Sequence, residues 1–229
     1  MLDALLKEII AYLKQYNPNP MAPYHNNEHM EGVWHIAKEI WDVEKNDPTY
    51  ALPDSEEVMV IQLMLGTMFH DFGHTGGMMS DRENIKRAVK ALKRFVLVDS
   101  KVINKKVAKK YKDSIGFMLW GAVALIDVTE YPFVKDPVNK MEFIMRDADL
   151  LYTTVRGEPE VVMEALRTEI ERSQGKAISY ADMAVGQQAF MSKARLYTPT
   201  GEKIWNEKSQ AFFAKLNDYA AERTVATPA

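Results

Sequence analysis

The stretch "MLGTMFHDFGHTGGMMSD", residues 64–81, opens as an apolar run and then places His70, Asp71 and His74 within five positions. Apolar residues recur with helical spacing through 58–68, which predicts a buried helix that ends at this polar group. The glycines of "FGHTGG" let the backbone turn sharply and leave space for a ligand. The chain holds only five histidines and none follows His74, so their clustering indicates a site at the end of that helix.

Helical spacing of apolar residues also dominates the rest of the chain. The breaks between stretches carry turn chemistry, as in "NPNPMAP", "EYPFVKDP", "SQGKAIS" and "YTPTG". We find no alternating strand pattern, internal repeat or low-complexity linker, so we predict an all-α fold, a compact multi-helix bundle that forms one domain over residues 1–229. The predicted helical stretches are 2–13, 33–40, 58–68, 82–97, 101–111, 115–128, 138–154, 158–173, 180–196 and 201–222.

The composition argues against several classes of protein. A net charge of -3 gives no basic face for duplex nucleic acid, and the lysine-rich run 101–112 is typical of a solvated helix face. The absence of cysteine excludes disulfides and thiolate metal sites. No window approaches the ~20 apolar residues of a membrane span, and charges interrupt the N-terminal apolar pattern, unlike in a signal peptide. We therefore expect a soluble, cytoplasmic protein with no membrane partner; its oligomeric state is left open.

The segment "YHNNEHMEGVW", residues 24–34, adds a second polar group. His25 and His29 are four positions apart, so on a helix they would share one face. Imidazole is the commonest protein ligand for metal ions, but two histidines at this spacing also begin ordinary surface helices. The pair alone does not decide between these readings. His35, six positions after His29, would point elsewhere and is expected near the surface.

Two further features concern carboxylates. His70 and Asp71 are adjacent, so their side chains diverge by about 100° on a helix, although both can reach a metal ion at the helix end. In "MEFIMRDADLLY", residues 141–152, Asp147 and Asp149 interrupt an apolar helix. Carboxylates in such surroundings need a partner, which would be either the neighbouring arginine or a divalent cation.

In this order the three segments resemble the HD superfamily of metal-dependent phosphohydrolases. "YHNNEH", "FHDFGHTGG" and "DADL" look most like the class I cyclic nucleotide phosphodiesterases, which carry HNxxH, HDxxHxG and alanine–aspartate–leucine motifs in the same order. The resemblance covers about residues 24–153, which would form the metal-binding core, while C-terminal helices over 158–222 would complete the substrate pocket. The sequence departs from the family after "ADL", where no asparagine follows.

The resemblance implies a site for two divalent ions of Zn, Mn, Mg, Fe or Co. The ligands of the first ion would be His29, His70, Asp71 and Asp149. Asp71 would also bridge to a second ion completed largely by water, and Asp147 is the alternative ligand if the register of "RDADLL" is displaced by two. The implied reaction is hydrolysis of a 3′,5′-cyclic nucleotide to the 5′-nucleotide by a hydroxide that bridges the ions.

The same resemblance assigns catalytic roles to His25, His74 and Asp71. His25 would be the general acid that protonates the leaving 3′-oxygen, a role that suits the near-neutral pKa of imidazole. His74 would orient the hydroxide or the Asp71 carboxylate.

Three residues are expected to bind the substrate. Gln187 and Phe190 match, by their spacing on a late helix, the glutamine amide and aromatic ring with which these phosphodiesterases hold a purine. Such a pair also arises by chance on many helices. Tyr24, beside the first motif, is the third expected contact.

Two alternative functions stay open. The first is another HD chemistry, a nucleotidase or a (deoxy)nucleoside triphosphate phosphohydrolase, which basic residues near the site would favour; the candidates are Arg82, Arg87 and Arg146. The second is a non-catalytic nucleotide sensor on the same scaffold, against which the intact ligand set argues. In each case the expected partner is a small-molecule nucleotide.

Overall fold

The computed structural model of the protein describes residues 1–46, 55–156 and 159–225. These residues include no β-strand, so the predicted all-α class is confirmed. The α-helices are α1 (Leu2–Tyr16), α2 (Asn27–Glu44), α3 (Glu56–Phe69), α4 (Asp81–Arg94), α5 (Ala108–Tyr111), α6 (Ile115–Asp127), α7 (Lys140–Arg156), α8 (Pro159–Gln174), α9 (Tyr180–Lys193) and α10 (Pro199–Val225). Two π-helical turns, Phe95–Asp99 and Ile103–Val107, and a 3₁₀ turn, Lys112–Ser114, connect α4 to α6. None of the described helices is both long enough and apolar enough to cross a membrane.

Helix α3 forms the centre of the core because almost its whole circumference is apolar. Every residue from Val58 to Phe69 is buried, as expected of a helix that is hydrophobic all round. Helices α2 and α6 pack against it. A Cβ atom at Gly66 would lie 2.7 Å from the Leu125 Cβ, so the close approach of α6 requires glycine there. This packing makes the end of α3 a rigid support for the polar segment that follows.

The predicted helical stretches agree broadly with the observed helices, and the starts of two helices are informative. Helix α2 begins at Asn27 because the Asn26 side chain accepts a hydrogen bond from the His29 backbone N–H. His25 therefore lies outside the helix. Helix α10 begins at Pro199, where the fixed φ of proline suits the first helical turn.

A second, smaller apolar cluster joins the C-terminal helices α8, α9 and α10. Its buried members are Val162, Met163, Met183, Ala184, Phe212, Leu216 and Ala220. Helix α10 also packs on α7 and α2. Tyr24 packs against both this cluster and the main core, so the residues just before α2 lie where the two clusters meet.

Candidate metal centre and the neighbouring histidine pair

The structure brings four predicted ligands together from three helices. His29 lies in the first turn of α2, and His70 and Asp71 directly follow the last residue of α3. Asp149 belongs to α7, which packs against both of those helices. The two imidazoles are almost completely buried, with 1% of each side chain exposed.

The side-chain nitrogen and oxygen atoms of these residues converge. The Nε2 atoms of His29 and His70 are 3.2 Å apart. Asp71 Oδ2 lies 3.2 Å from the first Nε2 and 3.0 Å from the second, and Asp149 Oδ1 lies 3.3 and 3.6 Å from them. Ligand atoms bonded to one ion at about 2.1 Å are themselves roughly 3–3.5 Å apart. His29, His70 and Asp149 therefore form a group that could hold a metal ion, and Asp71 borders both imidazoles.

Hydrogen bonding fixes the tautomer of His70. Its Nδ1 lies 2.7 Å from the Thr67 carbonyl oxygen, which only accepts, so Nδ1 carries the hydrogen. The Nε2 lone pair of the neutral ring then faces the carboxylates of Asp71 and Asp149, which are acceptors as well. Acceptors this close together, and largely buried, require a positive charge among them, either a proton or a metal ion. The donor set therefore fits a divalent cation.

The electrostatics of His70, Asp71 and Asp149 also favour a bound positive charge. Burial favours the neutral imidazole of His70, but the charges of Asp71 and Asp149 outweigh it and hold the pKa of His70 well above its ordinary value. Burial likewise opposes ionisation of the two carboxyls, yet the neighbouring histidines lower the pKa of both Asp71 and Asp149. The site is therefore built to attract positive charge.

Aromatic packing orients His29. Its Nδ1 is buried and has no hydrogen-bond partner within the described part of the chain. The ring instead lies perpendicular to that of Tyr152, with 4.5 Å between ring centroids, and 4.8 Å from the ring of Tyr24. Tyr24 is half-buried, and its burial, reinforced by the charge of Asp149, raises its pKa well above the ordinary value. Tyr24, a predicted substrate contact, therefore lies beside the metal-ligand group, by which we mean His29, His70, Asp71 and Asp149.

Helix α8 contributes Glu169, a residue that no motif of the sequence indicates. The Glu169 carboxylate is hydrogen-bonded to Nδ1 of His25. It also accepts hydrogen bonds from the backbone N–H groups of Tyr24, at 2.8 Å, and of His25, at 3.1 Å. Glu169 itself is buried. The expectation that His25 and His29 share a helix face is wrong, because the Asn26 cap starts α2 after His25. The two rings nevertheless lie near each other, 5.8 Å apart.

The glycine loop explains how α8 reaches this position. Gly76 and Gly77 have positive φ values of 58° and 82°. A Cβ at Gly76 would lie 3.2 Å from the Glu169 side chain, and a Cβ at Gly77 would lie 2.6 Å from the Ser173 Cβ. Only glycine combines this backbone conformation with so close an approach. No local feature of the sequence marks Glu169, because its position depends on this packing.

His74 lies against His25 and completes a second polar group. The two ring centroids are 3.8 Å apart, and His25, His74 and Glu169 are close enough to hold a metal ion. However, His74 Nδ1 accepts the Gly76 N–H at 3.1 Å, so the neutral ring carries its hydrogen on Nε2, which lies 3.5 Å from Asp81 Oδ1. Because that nitrogen carries a hydrogen, it has no free lone pair for a metal ion. The arrangement therefore suits proton transfer better than metal ligation.

No hydrogen bond, ion pair or ring contact of the described residues joins the two C-terminal residues predicted to bind substrate to His29, His70, Asp71 or Asp149. Gln187 is buried on α9, and its side chain makes no hydrogen bond within the described ranges. Phe190 is half-buried, and its ring packs against Tyr131, at 5.7 Å, and Phe133, at 6.4 Å. Their role toward substrate stays a prediction.

The alternative ligand Asp147 has a different position. It is fully buried and accepts hydrogen bonds from the backbone N–H of Tyr197, at 2.9 Å, and of Thr198, at 2.8 Å, and from the Thr198 hydroxyl, at 2.7 Å. Burial raises its pKa to about 6 although these bonds favour the charged form. Asp147 thus supports the start of α10, and Asp149 is the aspartate of the metal-ligand group.

The three arginines that were candidates for phosphate binding in the alternative function all contact other protein groups. Arg82 pairs with Asp127, at 3.4 Å, and Glu130, at 3.0 Å, and Arg87 donates to the Gly73 carbonyl at 3.3 Å. Arg146 is buried, donates to backbone carbonyls and lies under the Phe133 ring. His35 is exposed, as expected.

No protein-family model, no curated protein and no solved structure matches this chain. The relation to HD phosphohydrolases therefore stays a prediction from the sequence motifs. The functional assignment depends on the geometry of the residues described above.

Proposed function

We propose that the protein is a metal-dependent phosphodiesterase that hydrolyses a 3′,5′-cyclic nucleotide to the 5′-nucleotide. The observation that carries this proposal is the convergence of two imidazole nitrogens and two carboxylates on one point, beside a histidine paired with a buried glutamate. The two imidazoles and two carboxylates suit a divalent cation that binds a phosphate. The pair of His25 and Glu169 suits an acid that protonates a leaving group.

The residues that would hold the metal are His29, His70, Asp71 and Asp149. Divalent ions bound there, expected to be two, would stabilise charge on the phosphoryl oxygens and lower the pKa of water. The hydrogen bond from His70 Nδ1 to the Thr67 carbonyl keeps the Nε2 lone pair directed into the site.

His25 is placed to donate a proton. In the metal-free protein, partial burial lowers its pKa, but the charges of Asp71 and Glu169 prevail and raise it to about 9, which favours the imidazolium. Glu169 occupies Nδ1, which leaves Nε2 as the donor to the substrate. As the bond from phosphorus to the 3′-oxygen breaks, the Nε2 proton passes to that oxygen, and the neutral ring keeps its Nδ1 hydrogen bond to Glu169.

Two neighbours position that acid. The His74 ring lies against the His25 ring, and its own orientation is set by the Gly76 N–H on one nitrogen and Asp81 near the other. The ring of Tyr24, in the same segment as His25, lies 4.8 Å from the rings of both His25 and His29. Their packing restricts the motion of both imidazoles, which preorganises the site.

The contacts of Arg82, Arg87 and Arg146 with other protein groups favour the phosphodiesterase over a triphosphate phosphohydrolase. An activity panel tests the choice directly. The purified protein with Mn²⁺ would be assayed against 3′,5′-cyclic AMP, GMP, CMP and UMP, nucleoside monophosphates and dNTPs. We expect release of a 5′-nucleotide from at least one cyclic substrate.

Paired variants make the panel specific. His29→Ala should abolish turnover, whereas His35→Ala, which removes an exposed histidine from the same helix, should leave it unchanged. Turnover of monophosphates or triphosphates alone would overturn the proposed substrate class. Binding of metal without any turnover would favour the nucleotide sensor instead.

A further inference from the structure

A cavity of about 290 Å³ opens beside His74, outside the metal-ligand group. Its walls are the proline-rich segment 18–23, the loop 74–76 and Arg172 of α8. The Asn19 side chain donates to the His74 carbonyl at 2.9 Å, which holds the segment against the loop. The cavity therefore adjoins the histidine that packs on the proposed general acid.

Arg172 is the cation of this cavity. Its side chain is exposed and has no ion-pair or hydrogen-bond partner in residues 1–46, 55–156 and 159–225. It follows Glu169 by three positions, so the two share one face of α8 and are about 4.5 Å apart along the helix axis. The same helix thus supplies the partner of His25 and, one turn later, a free guanidinium at the cavity.

The nearby carboxylates of Glu169 and Asp81 are not among the side chains that line the cavity. Glu169 is bonded to His25 and accepts two backbone N–H groups. Asp81 accepts the Tyr131 N–H at 2.5 Å and lies 3.5 Å from His74 Nε2. Among the described residues that line the cavity, Arg172 is the one with a permanent charge, and that charge is positive.

We propose that this cavity binds a second phosphate group of the substrate, held by Arg172, while the phosphate to be hydrolysed lies at the metal-ligand group. This inference rests on the proposed phosphodiesterase function and extends its substrates to nucleotides that carry a second phosphate. A guanidinium offers paired N–H donors that match phosphate oxygens. The cavity is at or below the lower end of small-molecule sites, about 300–1,000 Å³, so it holds a phosphate and part of its sugar rather than a whole second nucleotide.

The test compares Michaelis constants for three substrates with Mn²⁺: 3′,5′-cyclic AMP, which has one phosphate, a cyclic dinucleotide and a nucleoside triphosphate. The variants are Arg172→Ala and, as a matched control, Lys176→Ala, which removes an exposed positive charge nearby that does not line the cavity. We expect Arg172→Ala to raise KM about 10- to 100-fold for a substrate with a second phosphate, as for loss of a charged hydrogen bond. The kcat should stay within about 2-fold, and KM for cyclic AMP should not move.

The outcome separates the two sources of a second phosphate. A KM effect on the cyclic dinucleotide places a second phosphodiester in the cavity, and an effect on the triphosphate places a pyrophosphate there. Equal effects of Arg172→Ala and Lys176→Ala would overturn the inference, because they would reflect general charge. An equal rise in KM for cyclic AMP would overturn it too, since Arg172 would then hold the phosphate that is hydrolysed.

Binding of pyrophosphate to the metal-free protein, measured by calorimetry, keeps this inference separate from the proposed activity. If no substrate is turned over, the proposed function fails. Pyrophosphate that binds the natural protein at least about 10-fold more tightly than it binds Arg172→Ala would still support the cavity as a phosphate site. Equal or absent binding in both proteins would overturn it.

Discussion

Glu169 and His25 lie 144 positions apart in the chain, and their side chains form a hydrogen-bonded pair. The pair joins α8 to the segment before α2, so it links the C-terminal helices to the site. Because the carboxylate also accepts two backbone N–H groups, it fixes both the ring and the backbone of His25. Two predictions concern this pair and the approach of α8, and a third concerns the aspartates of α7.

The first prediction concerns pH and stability. In the folded protein the pKa of His25 is about 9, above its ordinary value of 6.5. The stability that this provides is fully present below pH 6.5 and is lost as the pH rises through 9. Glu169→Gln should therefore lower the free energy of unfolding by about 1–2 kcal/mol at pH 6, and this loss should shrink towards pH 9.5.

Urea unfolding in EDTA at pH 6, 7.5 and 9.5 measures this difference. The same substitution in a His25→Gln background is the control, and there the loss should not change with pH. A loss of equal size at all three pH values in the natural background would contradict the charged pairing.

The second prediction concerns the close approach of α8. Gly77→Ala places a Cβ at a φ of 82°, 2.6 Å from the Ser173 Cβ. Strain and overlap together should lower the free energy of unfolding by about 2–4 kcal/mol. Turnover of the folded protein should also fall, because a displaced α8 moves Glu169 away from His25.

Gly175→Ala is the matched control. Gly175 has a φ of 64°, and a Cβ there meets nothing within 4 Å, so only the backbone strain of about 1–2 kcal/mol is expected. Denaturant midpoints and turnover rates of the two variants give the comparison. Equal losses of stability and activity would show that the contact with Ser173 is unimportant.

The third prediction separates the two aspartates of α7. Asp149→Ala should weaken Mn²⁺ binding by at least about 100-fold, because it removes a proposed ligand. Asp147→Ala should leave Mn²⁺ affinity within about 3-fold but lower the free energy of unfolding by about 2–4 kcal/mol, since it strands the buried donors of Tyr197 and Thr198. Calorimetric Mn²⁺ titration and urea unfolding report the two effects, and the reverse pattern would make Asp147 the ligand.

Local signals in the sequence account for most of the helices, and the family resemblance of the motifs supplies the predicted metal ligands. The apolar surface of α3 and the polar residues that directly follow it can be recognised in the sequence. The same is true of His29 and Asp149, which lie on regular helices. Asn26 is a further local signal, for the start of α2. Asparagine is a favoured N-cap residue, and reading it as one would have placed His25 before the helix.

Glu169 could not be identified in this way, because a close neighbour carries the same residue type. In "RTEIERSQ", Glu169 and Glu171 are both glutamates on a polar helix. Packing separates them: Glu169 is buried against the glycine loop, whereas Glu171 bonds Arg167 and the Ile178 N–H. The partners of Glu169 come from a segment 144 positions away, so only the folded chain identifies it.

The measurement that tests the central claim most directly is the rate of 3′,5′-cyclic nucleotide hydrolysis by protein stripped with EDTA and then titrated with Mn²⁺. We predict no turnover in the stripped protein, a saturable return of activity with the 5′-nucleotide as product, and no return in Asp149→Ala. Turnover that persists in EDTA, or that returns equally in Asp149→Ala, would contradict the assignment of a metal-dependent phosphodiesterase to this site.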